Sequence, residues 1–201
     1  RPDVPQQIDE TAHGEEPVAL STYHSPSFSL GVASCELKTQ EVIFIALQSS
    51  VFHAQYRRPQ SERCGVLFSR YILDDQWLSF QTTPSREPGQ VVPEEGHFYG
   101  VHDQGRAIGL YAPRNLDAWT RRTSAKAVLL WTEIEQVDEI WIGQNKVDSL
   151  PAMVPHGEVI VVGSGALWTA ALPLELTDLG GGAPIRLVEL DGHLALEMYN
   201  Y

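Results

Sequence analysis

The chain has 201 residues, 43% of them hydrophobic, and carries 14 Lys and Arg against 26 Asp and Glu, a formal net charge of −12 with neutral histidines. A chain this long buries roughly 70% of the surface its unfolded form exposes, so it needs neither metal nor disulfide to hold a core, and disorder and collagen-like repeats are excluded. The negative field repels phosphate backbones and anionic headgroups, which argues against nucleic-acid and membrane partners, and the apolar runs Val42 to Leu47 and Val159 to Val162 fall far short of the ~20 residues that span a bilayer.

Residues 1–20 read as a flexible acidic segment: Asp3, Asp9, Glu10, Glu15 and Glu16 interrupt it, and it lacks the apolar centre of a signal peptide. A start without Met, with Pro2 and Pro5 close behind, fits a processed product or a piece of a longer chain. From Ser21 onward the dominant signal is short apolar stretches of period two, separated by Gly, Pro, Asn and Asp clusters. Strands are expected at Ser27 to Leu37, Glu41 to Tyr56, Cys64 to Leu73 and Trp77 to Gln81. Pro84, Pro88, Gly89 and Pro93 mark a long loop, after which His97 to His102 and Arg106 to Tyr111 flank Asp103-Gln104-Gly105 as a hairpin. One short helix is expected around Asn115 to Arg122, where Asn115 caps and Asp117 sits in the first turn.

A strand at Lys126 to Thr132 follows, then a hairpin joining Glu139-Ile140-Trp141-Ile142 to Lys146-Val147, then strands at Val159 to Val162 and Leu167 to Leu172. Gly180-Gly181-Gly182 and Pro184 mark a second loop. The chain closes on Ile185 to Leu190, Asp191-Gly192 and His193 to Tyr199, where Asp-Gly supplies the positive φ angles of a two-residue type I′ turn. About a dozen strands suffice for two stacked sheets, so the expected fold is an all-β antiparallel sandwich over residues 21–201, in one domain.

Cys35 and Cys64 permit one disulfide, but the plainer reading is two buried free thiols in apolar strands. The seven histidines do not make a metal centre by spacing: His97 and His102 are five apart, hence on opposite strand faces, and the others lie in separate segments. No metal or other cofactor is therefore expected. Glu94-Glu95, Asp74-Asp75 and Glu15-Glu16 are adjacent pairs of the solvated-loop kind, and Gly163-Ser164-Gly165 lacks the spacing and following helix of a nucleophile elbow.

Two polar clusters carry chemistry. In Val51 to Pro59, His53, Tyr56 and Arg57 are the candidate catalytic groups, because proton abstraction beside a carboxylate-binding arginine is what cleavage of a uronate chain requires. The competing reading is simple alternation, with Phe52, Ala54 and Tyr56 inward and His53, Gln55 and Arg57 in solvent. Arg58, the His97/Tyr99 pair on one strand face, and Trp119 beside Asp117, Arg121 and Arg122 are the candidate substrate-binding groups. Trp131, Trp141 and Trp168 sit inside apolar strands and are expected in the core, whereas a sugar platform would expose two or three tryptophans side by side.

Ser21-Thr22-Tyr23-His24-Ser25-Pro26-Ser27-Phe28-Ser29-Leu30-Gly31, Tyr56-Arg57-Arg58-Pro59 and Arg106-Ala107-Ile108-Gly109-Leu110-Tyr111 together resemble the β-sandwich portion that follows the helical toroid in heparinase II/III-like proteins. The closing hairpin is compatible with that likeness, which covers the chain from about Ser21 onward. In that family the principal acid and base groups come largely from the toroid, and the sandwich closes the substrate cleft. A chain of nearly all strand-like residues leaves no room for a toroid, so the family's catalytic residues find no positions here. The resemblance implies a noncatalytic module that supports a polysaccharide or oligosaccharide cleft beside a toroid of the same or a partner chain. The alternatives are a self-contained lyase-like enzyme on acidic glycans, and a structural or protein-interaction sandwich without sugar chemistry.

Overall fold

The fold is seen in a computed structural model that describes residues 4–12, 18–37, 52–58, 61–73, 96–113, 125–165, 167–174 and 184–199. Within them lie fifteen strands and one 3-10 turn at Ile134–Gln136. The strands are β1 Gln6–Ala12, β2 Val18–His24, β3 Phe28–Leu37, β4 Phe52–Tyr56, β5 Gly65–Leu73, β6 Gly96–Asp103, β7 Arg106–Pro113 and β8 Ala125–Trp131. They continue as β9 Glu139–Ile142, β10 Asn145–Lys146, β11 Ala152–Val154, β12 Ile160–Ser164, β13 Leu167–Ala171, β14 Ile185–Leu190 and β15 His193–Tyr199. No described helix is long and apolar enough to cross a membrane.

All pairing is antiparallel, in an 11-stranded and a 4-stranded sheet, as the alternation predicts. The large sheet runs β1-β2-β3-β4-β5-β8-β15-β14-β11, and the β6–β7 hairpin joins it at the far end of β3 through Cys35 opposite Phe98. Both nitrogen and oxygen of Gly100 bond the Ser34 hydroxyl, and a Cβ at Gly100 would stand 2.1 Å from Val32 Cγ1, so only glycine lets the hairpin lie this close to β3. Phe98 completes a cluster with Leu30, Val32, Ala33 and Cys35.

The small sheet, β10-β9-β12-β13, lies over the other half. Its inner residues Ile142, Ile160 and Val162 meet Leu67, Trp131, Ile185, Leu187, Leu194 and Leu196 of the large sheet in the main core. Period two explains the division: the residues that alternate with these, including Trp141, Val161 and Trp168, fall on the outer face of the small sheet. The closing hairpin turns at Asp191 and Gly192, both with positive φ, as its Asp-Gly sequence predicts.

Three expectations need correction. Gln6–Ala12, assigned by composition to a flexible segment, forms an edge strand paired residue for residue with Val18–His24. Every described side chain of it is exposed, so no apolar alternation betrays it. Cys64 is exposed rather than buried, while Cys35 is in the core, and both thiols are free. Trp168 and Trp141, expected in the core, lie on the outer face of the small sheet, the first 54% exposed and the second half-buried. The expected helix at Asn115 to Arg122 and strand at Trp77 to Gln81 lie outside the described residues.

Candidate functional site

The His53, Tyr56, Arg57 and Arg58 segment is not gathered around one point. His53 and Tyr56 are three apart on β4 and therefore on opposite faces of the sheet. Tyr56 is 2% exposed, and its ring covers Gly65, its cross-strand partner, where a Cβ would stand 2.1 Å from Tyr56 Cε2. His53 is half-buried, and burial lowers its pKa below the usual histidine range. Arg57 is exposed.

Arg58 turns inward and makes a part-buried ion pair with Glu133, whose side chain stays partly in solvent, and its other terminal nitrogen donates to the Thr132 carbonyl at 3.2 Å. Glu133 has a left-handed backbone, φ 59°, uncommon for a residue with a Cβ, and its N–H donates to His193 Nδ1 at 3.4 Å. Arg63 stands 3.9 Å from the same carboxylate. This node joins the end of β4, the turn after β8 and the tip of the closing hairpin. Sequence reasoning missed Glu133, because nothing in the chain order links it to Arg58.

His97 and Tyr99 do come together, on the outer face of β6, with ring centroids 4.2 Å apart and planes inclined by 31°. Tyr99 is exposed beside Val101, Ile108 and Leu110. Trp119 lies outside the described residues.

A different constellation stands on the outer face of the small sheet. Trp168 on β13 is directly opposite Gly163 on β12, and three atoms of its indole lie 2.9–3.1 Å from where a Cβ on Gly163 would be. The indole thus rests on bare backbone, with its other side open. Gly163 is in turn opposite Glu139 on β9. Two residues along, Trp141 is half-buried and donates its indole N–H to Glu139 Oε2 at 3.1 Å. Lys146, opposite Trp141 on β10, sits 3.4 Å from the same oxygen and 6.0 Å from the centre of the Trp141 ring. Lys146 also lines an open depression of about 480 Å³ at the β10 edge, which it shares with the inward-facing Ile142 and Asn145 and with Asp148, Met153 and Glu158.

Trp141 and Lys146 both meet Glu139 at Oε2, so among the described residues Oε1 has no partner, and the side chain is 38% exposed. The face therefore combines one open indole, a second half-open one, a carboxylate oxygen able to accept and an ammonium able to donate. The contrast with Trp131 is direct: that indole is 1% exposed, and its N–H donates to Thr169 at 2.9 Å. Among the described residues no group of three or more His, Cys, Asp or Glu is placed to hold a metal ion. No family model, curated protein or solved structure matches the chain.

Proposed function

We propose that this chain is a noncatalytic β-sandwich module of a carbohydrate-active protein, holding glycan on the outer face of its small sheet. The observation that carries the reading is the Trp168 indole, seated on Gly163 with its far side in solvent. An indole face is electron-rich and attracts the positively polarised C–H groups of a pyranose ring, whose hydroxyls then need partners at the rim. Glu139 Oε1 and the Lys146 ammonium supply an acceptor and a donor there.

The His97/Tyr99 face is a poorer fit, because its two rings lie against each other and its neighbours Val101, Ile108 and Leu110 bring no side-chain hydrogen-bonding group. The noncatalytic part of the reading rests on the separation of His53 from Tyr56 and on the commitment of Arg58 to Glu133. Support of a cleft beside a helical toroid, as the heparinase II/III-like resemblance implies, belongs to the same proposal.

Native electrophoresis of the chain through gels containing soluble polysaccharides tests it. Retardation in at least one gel, abolished by Trp168→Ala while the far-ultraviolet dichroism is unchanged, is the expected result. Free migration in every gel, or retardation indifferent to Trp168→Ala, contradicts it.

A further inference from the structure

We infer that the glycan held on this face carries no carboxylate or sulfate, and that it lies across the strands from Trp168 toward Lys146; this rests on the glycan-binding reading above. The residues of the outer face are Glu139, Trp141, Lys146, Val161, Gly163, Trp168 and Ala170, and Lys146 is the one cation among them. Its ammonium already faces the Glu139 carboxylate at 3.4 Å. Asp138 accepts the Gly165 N–H at 2.6 Å beside the Trp168 end, and Asp148 and Glu158 line the depression at the other.

An acidic sugar would therefore meet one neutralised cation and three further carboxylates, on a chain of net charge −12. A hydroxyl group suits the pair better. It donates to Glu139 Oε1 and accepts from Lys146 without adding charge to a partly desolvated site. The direction follows from strand order and register: Trp168 on one edge strand and Lys146 on the other are three inter-strand spacings, about 14 Å, apart across the sheet and two residues, about 7 Å, apart along it, with Trp141 between. That distance accommodates a few consecutive pyranose rings.

The test is native electrophoresis of the whole chain and of Trp168→Ala in gels of mixed-linkage β-glucan, galactomannan or xylan, against gels of polygalacturonate or alginate. Retardation that depends on Trp168 in a neutral gel, with binding about tenfold or more tighter than to either uronate polymer, is expected. Glu139→Gln deprives Lys146 of its partner and is expected to add Trp168-dependent retardation in the uronate gels. Trp168-dependent retardation that is stronger in uronate gels overturns this inference and leaves the glycan-binding reading standing, whereas retardation in no gel removes both. A Glu139→Gln chain that gains nothing in uronate gels overturns the charge argument.

Discussion

Trp168 covers Gly163, its direct partner across the β12–β13 hairpin, just as Tyr56 covers Gly65 across β4 and β5. An aromatic ring laid on a strand glycine shields backbone that a side chain would otherwise cover. The two pairs differ in what the other side of the ring meets: Tyr56 is 2% exposed and Trp168 is 54% exposed. The Tyr56 pair is spent on packing, and the Trp168 pair leaves a rigid apolar surface facing water.

Replacing Gly163 with Ala puts a methyl 2.9 Å from Trp168 Cζ3, too close for the indole to stay flat. Gly-to-Ala in a strand gains roughly 0.5–1 kcal/mol from reduced backbone freedom, and this offsets much of the lost ring contact. Melting experiments on Gly163→Ala are thus expected to show a stability change below about 1 kcal/mol, while retention by polysaccharide falls several-fold. Unchanged retention would mean that the seat on Gly163 plays no part in binding.

Arg58 is the structural counterpart. Its side chain is 4% exposed, and Arg58→Ala strands the Thr132 carbonyl and releases the left-handed Glu133. Breaking a buried pair costs about 3–5 kcal/mol, and Glu133 keeps partial solvent and Arg63, so a loss of about 2–3 kcal/mol is expected in urea denaturation. Polysaccharide retention by the folded variant should match the parent. A loss below about 0.5 kcal/mol would show that the node does not hold the three segments together.

The two thiols should react at different rates with a disulfide reagent. Cys64 is exposed, whereas Cys35 is buried in the Leu30, Val32 and Phe98 cluster, where burial raises its pKa and disfavours the reactive thiolate. One thiol is expected to react on mixing and the second only on adding denaturant, with Cys64→Ser removing the fast phase. Equal rates in the native chain would contradict the placement of Cys35.

His53 gives the fold a pH dependence whose sign is fixed. Burial lowers its pKa from 6.5, so as pH falls below that value the unfolded chain takes up a proton before the folded one does. Stability is therefore full above about pH 6.5 and declines until the pH has passed below the folded-state pKa. Asp9, the other described group with a lowered pKa, is held below the ordinary 3.8 of an aspartate by the Ser21 hydroxyl and so does not titrate in this window. Urea denaturation at about pH 7.5 and about pH 5.5 should show a larger decline for the parent than for His53→Gln. Equal declines would place His53 in solvent.

Much of the fold was legible because turns and alternation are local signals. Asp191 and Gly192 both take positive φ, the turn between β6 and β7 takes it at Gln104, and the residues on either side of each turn alternate. Trp131, expected in the core because its segment is apolar, is there. Trp168 lies in a segment that is apolar but for Thr169, so composition alone points it to the core. Leu167, Thr169 and Ala171 share one face and Trp168 the other, so the phase alone places the indole opposite the inward set. The glycine beneath it, the acid two strands away and the lysine beyond are joined only by register, which a single sequence does not carry. For β1 the failure was compositional, since an edge strand exposed on its described side chains has no apolar face to display.

The most direct test of the account is the indole N–H spectrum of the five tryptophans, recorded by nitrogen-proton correlation during titration with a neutral β-linked oligosaccharide. Trp168 and Trp141, assigned through Trp168→Phe and Trp141→Phe, are expected to shift together and saturably. Trp131, buried and bonded to Thr169, is expected to stay in place. A titration in which neither the Trp168 nor the Trp141 signal moves for any neutral or acidic oligosaccharide would contradict the claim that this face is where the chain meets glycan.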